Sequence, residues 1–484
     1  MSLSSLTINA VDQLKNTRAH DAFACVEHLP WAMLLDTCNN RLSDGRYDII
    51  AYAPLASFQF ADGQSKLSIL NPKADFLREA TLNHSPFDDL SKLHQLFSQS
   101  VDISEHQTSQ LPFLIGALGL FAYDINTHTD RITDSHPDQY QLDDIAVGFY
   151  EQSLIFDNYT GEVYHISTSA NDSEWLARII GLTNTAVFKA NMHAPFYLTQ
   201  NWQANMSESE YHESMHKIDN YLRAGDCYQI NFAQRFSAPY QGSEWQAYQH
   251  LTAVNKAPFS SFIRLPESCV LSVSPERFIS VKDRKVVTKP IKGTRKRSDD
   301  PLLDKQLSDA LLNSEKDKAE NLMIVDLLRN DLSKHCKPHS VKVPHLFALE
   351  SYPAVHHMVS TVTGELKDNS SPFDLLAGAF PGGSITGAPK VRAMQIIQEL
   401  EPDKRSIYCG SIGYVGIRQD MDTNICIRTI LAEKGTMHCW AGGGIVLDSQ
   451  ASDEYQESFH KVAKILPTLS ATLRQQNNSS KKAS

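Results

Sequence analysis

Four carboxylates are the side chains in this sequence best placed to do chemistry. Asp317 and Glu320 stand three residues apart in a helical stretch over 316–332, and Glu454 and Glu457 repeat that spacing in a second stretch from 453 to about 466. Residues at i and i+3 share one helix face. Two such faces turned toward each other would form a hard, oxygen-rich site suited to Mg²⁺. Each pair also reads as an ordinary solvated helix face, with Lys461 one turn beyond Glu457 as its partner.

Glycine and cations supply the other candidates. Gly442, Gly443 and Gly444 lie between Trp440 and the β-branched pair Ile445-Val446. There they could let backbone N–H groups approach an anion closely, or simply make a turn. The run PGGSITG (381–387) offers the same choice, and it is not a phosphate-binding P-loop because Ala388 follows where lysine is required. Lys292 stands between Ile291 and Gly293 at the end of a strand-like run, 285–291. Buried there, its amine would lose affinity for a proton and become a nucleophile. Otherwise it belongs to a solvated basic run, KPIKGTRKR (289–297), of the kind that binds nucleic acid. Arg428 sits in an apolar run (NICIRTI, 424–430) and needs an anion, either a substrate carboxylate or an internal partner. His356-His357 precede a further strand-like stretch.

The elements that must carry these residues are both strands and helices. Short β-type runs at 47–52, 113–123 and 145–156 flank a helix near 88–99. Residues 165–200 read as a polar connection, so one region extends from 1 to about 195 and a second from 196 to 467. A helix starts at Ser207 and stops at Gly225. Residues 468–484 are poor in apolar side chains and read as a disordered tail.

With 484 residues, 42% hydrophobic and 21% charged, the chain can build a large core. Its net charge of −11 argues against nucleic acid or an anionic membrane as a partner. No apolar stretch is long enough to span a membrane, and no leader is visible. The eight cysteines include no C-x-x-C pair, so they read as reduced thiols in a cytoplasmic protein without a zinc site.

Taken together, GDCYQINFAQRF (225–236), SPERF (274–278), PIKGTRKR (290–297), DKAENLMIVDLLRNDL (317–332), GSITGAPKVRAM (383–394), CGSIGY (409–414) and GGGIV followed by EYQES (442–458) resemble the chorismate-utilising enzymes, in that family's order. The resemblance implies an α+β fold of two β-sheets packed as a sandwich with helices outside. It implies that Glu320 and Glu457 hold Mg²⁺ with Asp317 and Glu454 close behind. It assigns Arg428 and Tyr408 to one substrate carboxylate, and the Gly442–Gly444 backbone and Lys461 to the ring carboxylate. Glu276 becomes the general acid, His357 lies near the reacting ring, and Gly293, Thr294, Ser384 and Thr386 line the pocket. A tryptophan pocket is implied in the N-terminal region, at Thr37, Arg46, Tyr47, Asp48, Tyr228, Pro258 and Phe259, although Asn39-Asn40 departs from the family pattern.

Lys292 selects a branch. Family members that form anthranilate or isochorismate usually have alanine at this position, in PIAGT, whereas those that aminate chorismate at C4 have PIKGT, as here. Amination with retention follows from two allylic displacements, lysine at C2 and then ammonia at C4. Mg²⁺ would orient the carboxylated ring, and Glu276 would protonate the departing hydroxyl. No glutaminase nucleophile elbow is present, so ammonia is expected from a separate glutamine amidotransferase subunit. The product would feed para-aminobenzoate and folate synthesis. Anthranilate synthesis is the sister alternative.

Overall fold

The computed structural model describes residues 4–38, 45–106, 109–130, 132–133, 136–137, 139–168, 173–183, 194–352 and 355–480. Asn39 and Asn40 therefore lie outside the described residues. Among those described, two large sheets, one of 13 strands and one of 11, dominate the fold.

Period-two alternation decides which sheet face meets which layer. Met33, Ile49, Ile155, Ile263, Val270 and Leu431 of the larger sheet point into a core shared with Phe58, Leu118, Val147, Phe149 and Ile279 of the smaller one. Their immediate neighbours Leu34, Ile50, Leu154, Phe262, Leu271 and Ile430 face the other way, onto Phe23, Trp175, Trp245 and Leu251 of outer helices. Strands buried on both faces read as continuous apolar runs, as the first half of this chain does. The result is a sandwich with helices outside, an α+β fold.

Both sheets take strands from both sides of residue 195. Met33–Asp36 and Tyr47–Ala51 pair within the larger sheet beside Phe259–Arg264, while Gly116–Phe121 pairs with Ser411–Gly416 in the smaller. Four segments pass directly from one sheet to the other, the first from Tyr47–Ala51 of the larger sheet to Ala56–Ala61 of the smaller across residues 52–55. Ile145–Tyr150 lies in the smaller sheet and Gln152–Asp157 in the larger. Ser268–Ser274 of the larger sheet becomes Arg277–Lys282 of the smaller across Pro275-Glu276. Met421–Asn424 returns to Thr429–Glu433 across residues 425–428. The last two crossings lie side by side, tied by the Ile425 N–H to the Glu276 carbonyl (3.1 Å) and by the Ser274 hydroxyl to the Ile425 carbonyl (2.6 Å).

Three sequence expectations meet a different structure. The 165–200 stretch contains a strand, Val163–Ser167, and a helix, Ser173–Thr183, whose Trp175 stacks on Tyr52 at 4.3 Å. The strand expected over 285–291 is two, Lys285–Thr288 and Ile291–Lys296, divided at Pro290, which has no N–H to give the ladder. Where a disordered tail was expected from residue 468, a helix runs over Leu466–Ser480. Leu469 is buried, and the Thr472 hydroxyl accepts the Leu198 N–H at 3.4 Å. One buried leucine on the right face anchors a segment whose overall composition is polar.

The helix after Ser207 forms as expected. Glu208–Ala224 opens with a reciprocal capping box between Ser207 and Glu210 and closes on Gly225 in the left-handed region (φ 79°). All eight cysteines are free. No helix among the described residues is long and apolar enough to cross a membrane.

Candidate active site

The site forms where strands change sheets. Glu276 occupies one crossing and Arg428 the other, and both line a cavity of about 760 Å³. Arg428 adopts a left-handed backbone (φ 53°), uncommon for arginine, because its run is not one strand but the break between two. No ion pair is formed by Arg428 with the described residues. Burial lowers its pKa, and Glu276 works against that. A guanidinium without an ion-pair partner, open to a cavity, is a fitting place for a carboxylate.

Lys292 enters from the strand Ile291–Lys296, whose register against Val355–Glu365 shifts between Ile291 and Thr294. That bulge has Gly293 in the left-handed region (φ 79°), where a Cβ would come within 2.7 Å of Leu311 and 2.9 Å of Asp317. The Lys292 ammonium donates to the Ser384 carbonyl at 3.4 Å, and the Ser384 hydroxyl donates to Glu276 Oε1 at 3.3 Å. Burial lowers the Lys292 pKa, with Glu320 and Glu276 opposing it. Burial pushes the Glu276 carboxyl up to about 7 against the pull of Lys292. The pair is thus an amine whose hold on its proton is weakened beside an acid whose hold on its proton is strengthened. Thr294 donates to or accepts from His357 Nδ1 at 2.8 Å. Burial, reinforced by Arg428, takes His357 down to about 4, so its ring is neutral near pH 7.

The carboxylates come from two helices, Glu315–His335 and Ala451–Lys461. Asp317, Glu320, Glu454 and Glu457 all line the cavity. Asp317 pairs with Arg295 at 3.0 Å, and Glu457 with Lys461 at 2.8 Å. Glu454 accepts from Ser449 through Oε1 at 2.7 Å, while its buried Oε2 has no partner. Burial raises the pKa of Glu320 and of Glu454; at Glu457 it also pulls upward, but Lys461, Lys316 and Lys292 together hold the carboxylate down. Among the described residues no three acidic, histidine or cysteine side chains close into a complete metal cage. The set still fits Mg²⁺, which commonly takes one or two protein carboxylates and completes its shell with water and substrate oxygens. The unpartnered Glu454 oxygen is the observation that favours this fit.

Gly442–Gly444 are not a loop nest. They belong to the strand Thr436–Ile445, paired with Gln229–Gln241. Their role is clearance: a Cβ on Gly443 would lie 2.9 Å from Glu454 Oε2 and 3.4 Å from Glu457 Oε1. Lys461 donates to the Gly442 carbonyl at 2.7 Å. Tyr408 and Ser384 line the cavity, but Thr386 stands behind its wall, its hydroxyl donating to the Gly382 carbonyl at 3.0 Å. The structure adds Asn231, Trp440, Lys316 and His460 to the lining. Asn231 is one of several polar residues in the strand Gln229–Gln241, so its polarity gave no reason to place it here. The basic run is spent internally: Lys289 pairs with Glu350, Arg295 with Asp317 and Arg297 with Asp304.

A second cavity, about 260 Å³, lies between the sheets and is lined by Thr37, Arg46, Tyr47, Pro258 and Phe259 with Arg277 and Asp422. Asp48 stands behind it and accepts the Thr37 N–H and hydroxyl at 2.8 and 2.7 Å. Burial, and then Asp36, push Asp48 up to about 6. Tyr228 does not belong to this cavity. It is 69% exposed at the start of Gln229–Gln241, where its N–H bonds the Ala388 carbonyl at the end of the sheet. Its neighbours in sequence pair with Gly387-Ala388, which fixes it outside.

The model of the chorismate binding enzyme family matches residues 41–467. Aminodeoxychorismate synthase component 1 of Salmonella typhimurium is 46% identical over 453 residues, 93% of this chain and 96% of that protein. The Escherichia coli K12 protein of the same name is 44% identical over 450 residues, 92% and 95% of the two chains. Among solved structures, anthranilate synthase component I from Streptococcus pneumoniae superposes with a TM-score of 0.74 at 29% identity, over 87% of this chain and 92% of that one. The two-sheet fold, the cavity at the strand crossings and these matches agree: this chain belongs to the chorismate binding enzyme family.

Proposed function

We propose that the chain aminates chorismate at C4, forming 4-amino-4-deoxychorismate for para-aminobenzoate and folate synthesis. The observation that carries this reading is the half-buried Lys292 amine, its proton affinity lowered, in one cavity with Glu276 and the two carboxylate pairs. Relatives bearing the name of an aminodeoxychorismate synthase component support it. The word component in those names supports a second subunit, which we take to be a glutamine amidotransferase that supplies ammonia.

In the first step the neutral Lys292 amine bonds to C2. The ring double bonds shift along the diene and the C4–O bond breaks, with the hydroxyl leaving as water on a proton from Glu276. In the second, ammonia bonds to C4, the double bonds return and the C2–N bond breaks, releasing Lys292. The proton shed by the new ammonium group restores Glu276, so the balance is chorismate plus ammonia to aminated product plus water. Arg428 and Tyr408 would hold the side-chain carboxylate, with Lys461 and the Gly442–Gly444 backbone toward the ring carboxylate. His357, neutral and fixed by Thr294, borders the ring. Mg²⁺ held by Glu320 and Glu457, backed by Asp317 and Glu454, would offset the ring carboxylate's charge. The second cavity suits an aromatic amino acid such as tryptophan, with Arg46 and the Tyr47 and Phe259 rings around it.

Incubation of the purified chain with chorismate, Mg²⁺ and ammonium tests the reading. 4-Amino-4-deoxychorismate is the expected product; anthranilate and pyruvate as main products would overturn it.

A further inference from the structure

Three residues that line the catalytic cavity carry a buried polar atom with no hydrogen-bond partner: Glu454 Oε2, Trp440 Nε1 and Asn231 Oδ1. The first fits the metal site. Asn231 has no role in the reaction as described above, and it is the best constrained of the three.

Asn231 is 6% exposed. Its backbone is held on both sides, the N–H by the Thr386 carbonyl (2.7 Å) and the carbonyl by Arg405 Nη2 (2.6 Å). Arg405 is itself 1% exposed, paired with Glu401 at 2.6 Å, and donates to the Ile385 carbonyl at 2.9 Å. The strand therefore cannot withdraw to find the amide a partner inside the protein. Across the ladder stands Gly444, which has no side chain to offer. A buried amide oxygen left unmatched is destabilising, and in a ligand cavity such an atom points to a donor on the ligand.

The donors available are few. If the proposed amination is accepted, on which this inference rests, chorismate brings carboxylates and an ether oxygen that only accept, and one hydroxyl that donates, at C4. Apart from water, the other donor entering the site is ammonia, and it too is bound for C4. The location agrees. Asn231 is tied to Thr386, and Ser384, two residues earlier, donates to Glu276, so the amide and the acid that acts on the C4 oxygen border one short segment.

We infer that Asn231 Oδ1 is the hydrogen-bond acceptor for the substituent at C4, taking the O–H of chorismate and then the N–H of the amine that replaces it. A hydroxyl that gives its hydrogen to Asn231 keeps its lone pairs free for the proton of Glu276. The same contact therefore binds the substrate and turns the leaving group toward its acid.

The test uses two unreactive, ring-saturated chorismate analogues that differ only in the 4-hydroxyl, with binding measured on the full chain in Mg²⁺. Wild type should prefer the hydroxylated analogue by about tenfold, the worth of one neutral hydrogen bond. Asn231→Leu, of similar size but without an acceptor, should bind both analogues alike. Full preference in Asn231→Leu would overturn the inference. If that variant does not fold, Asn231→Ala is read in the same way. Product analysis of wild type with ammonium separates the two readings. Without aminated product the proposed function itself fails. With that product and an undiminished preference in the variant, only the assignment of Asn231 fails.

Discussion

Replacing Glu276 by glutamine tests the site through stability as well as through turnover. A glutamate in the unfolded chain ionises near 4.5, whereas burial holds Glu276 un-ionised up to about 7. Between those values the folded state binds more protons than the unfolded one, so this group's contribution to stability falls as pH rises through the window. Above it, the cost of keeping the carboxylate buried reaches about 3 kcal/mol at about 1.4 kcal/mol per pH unit. Near pH 5.5 less than half of that is felt. Glu276→Gln removes the titration and keeps the shape. The variant should therefore gain about 2 kcal/mol on wild type when denaturant unfolding is compared near pH 5.5 and near pH 8. The same variant cannot protonate the departing hydroxyl and should lose about 10²–10⁴ in C4 amination. A stability difference that does not change with pH would refute the burial argument, and near-normal turnover would refute the acid role.

Other outcomes follow from the same geometry. Lys292→Arg keeps a cation but cannot supply a neutral amine, so C4 amination should be largely lost while chorismate still binds; near-wild-type turnover would leave Lys292 a charge only. Glu320→Gln and Glu457→Gln should each raise the Mg²⁺ concentration needed for half-maximal activity by about tenfold or more, and unchanged metal titrations would remove them as ligands. Tryptophan should raise the melting temperature of a preparation freed of it by unfolding and refolding, because ligand bound to the folded state stabilises it by mass action. Absence of any shift, with no tryptophan in the denatured extract, would empty the second cavity of that ligand.

Much of the site was readable because it depends on local spacing. The i, i+3 carboxylate pairs need only a helix to share a face, and both helices form. Lys292 was expected at the end of one strand and lies instead near the start of the next, Ile291–Lys296, beside a bulge at Gly293 that needs a residue tolerant of positive φ. The strand crossings were not readable. Residues 424–430 look like one strand, yet the chain leaves one sheet and enters the other between Asn424 and Thr429. The run 145–156 likewise looks continuous and divides between sheets at Glu151. Alternation fixes which face a residue takes but not which sheet its strand joins, since that depends on pairings far away in sequence. The three glycines show the same limit. Their need for space was visible, but the carboxylate they make room for comes from a helix that follows, so strand and loop could not be told apart. Tyr228 was misplaced because nothing local shows that its neighbours pair with Gly387-Ala388.

Bonding of Lys292 to C2 of chorismate can be read by mass spectrometry of the intact protein mixed with chorismate and Mg²⁺ in the absence of ammonia. The expected result is an adduct with the mass of chorismate less one water, mapped by peptide analysis to Lys292 and discharged when ammonium is added. Rapid amination by wild type, with no adduct at any time resolved by quenching and none in Glu320- and Glu457-intact protein held without ammonia, would contradict it.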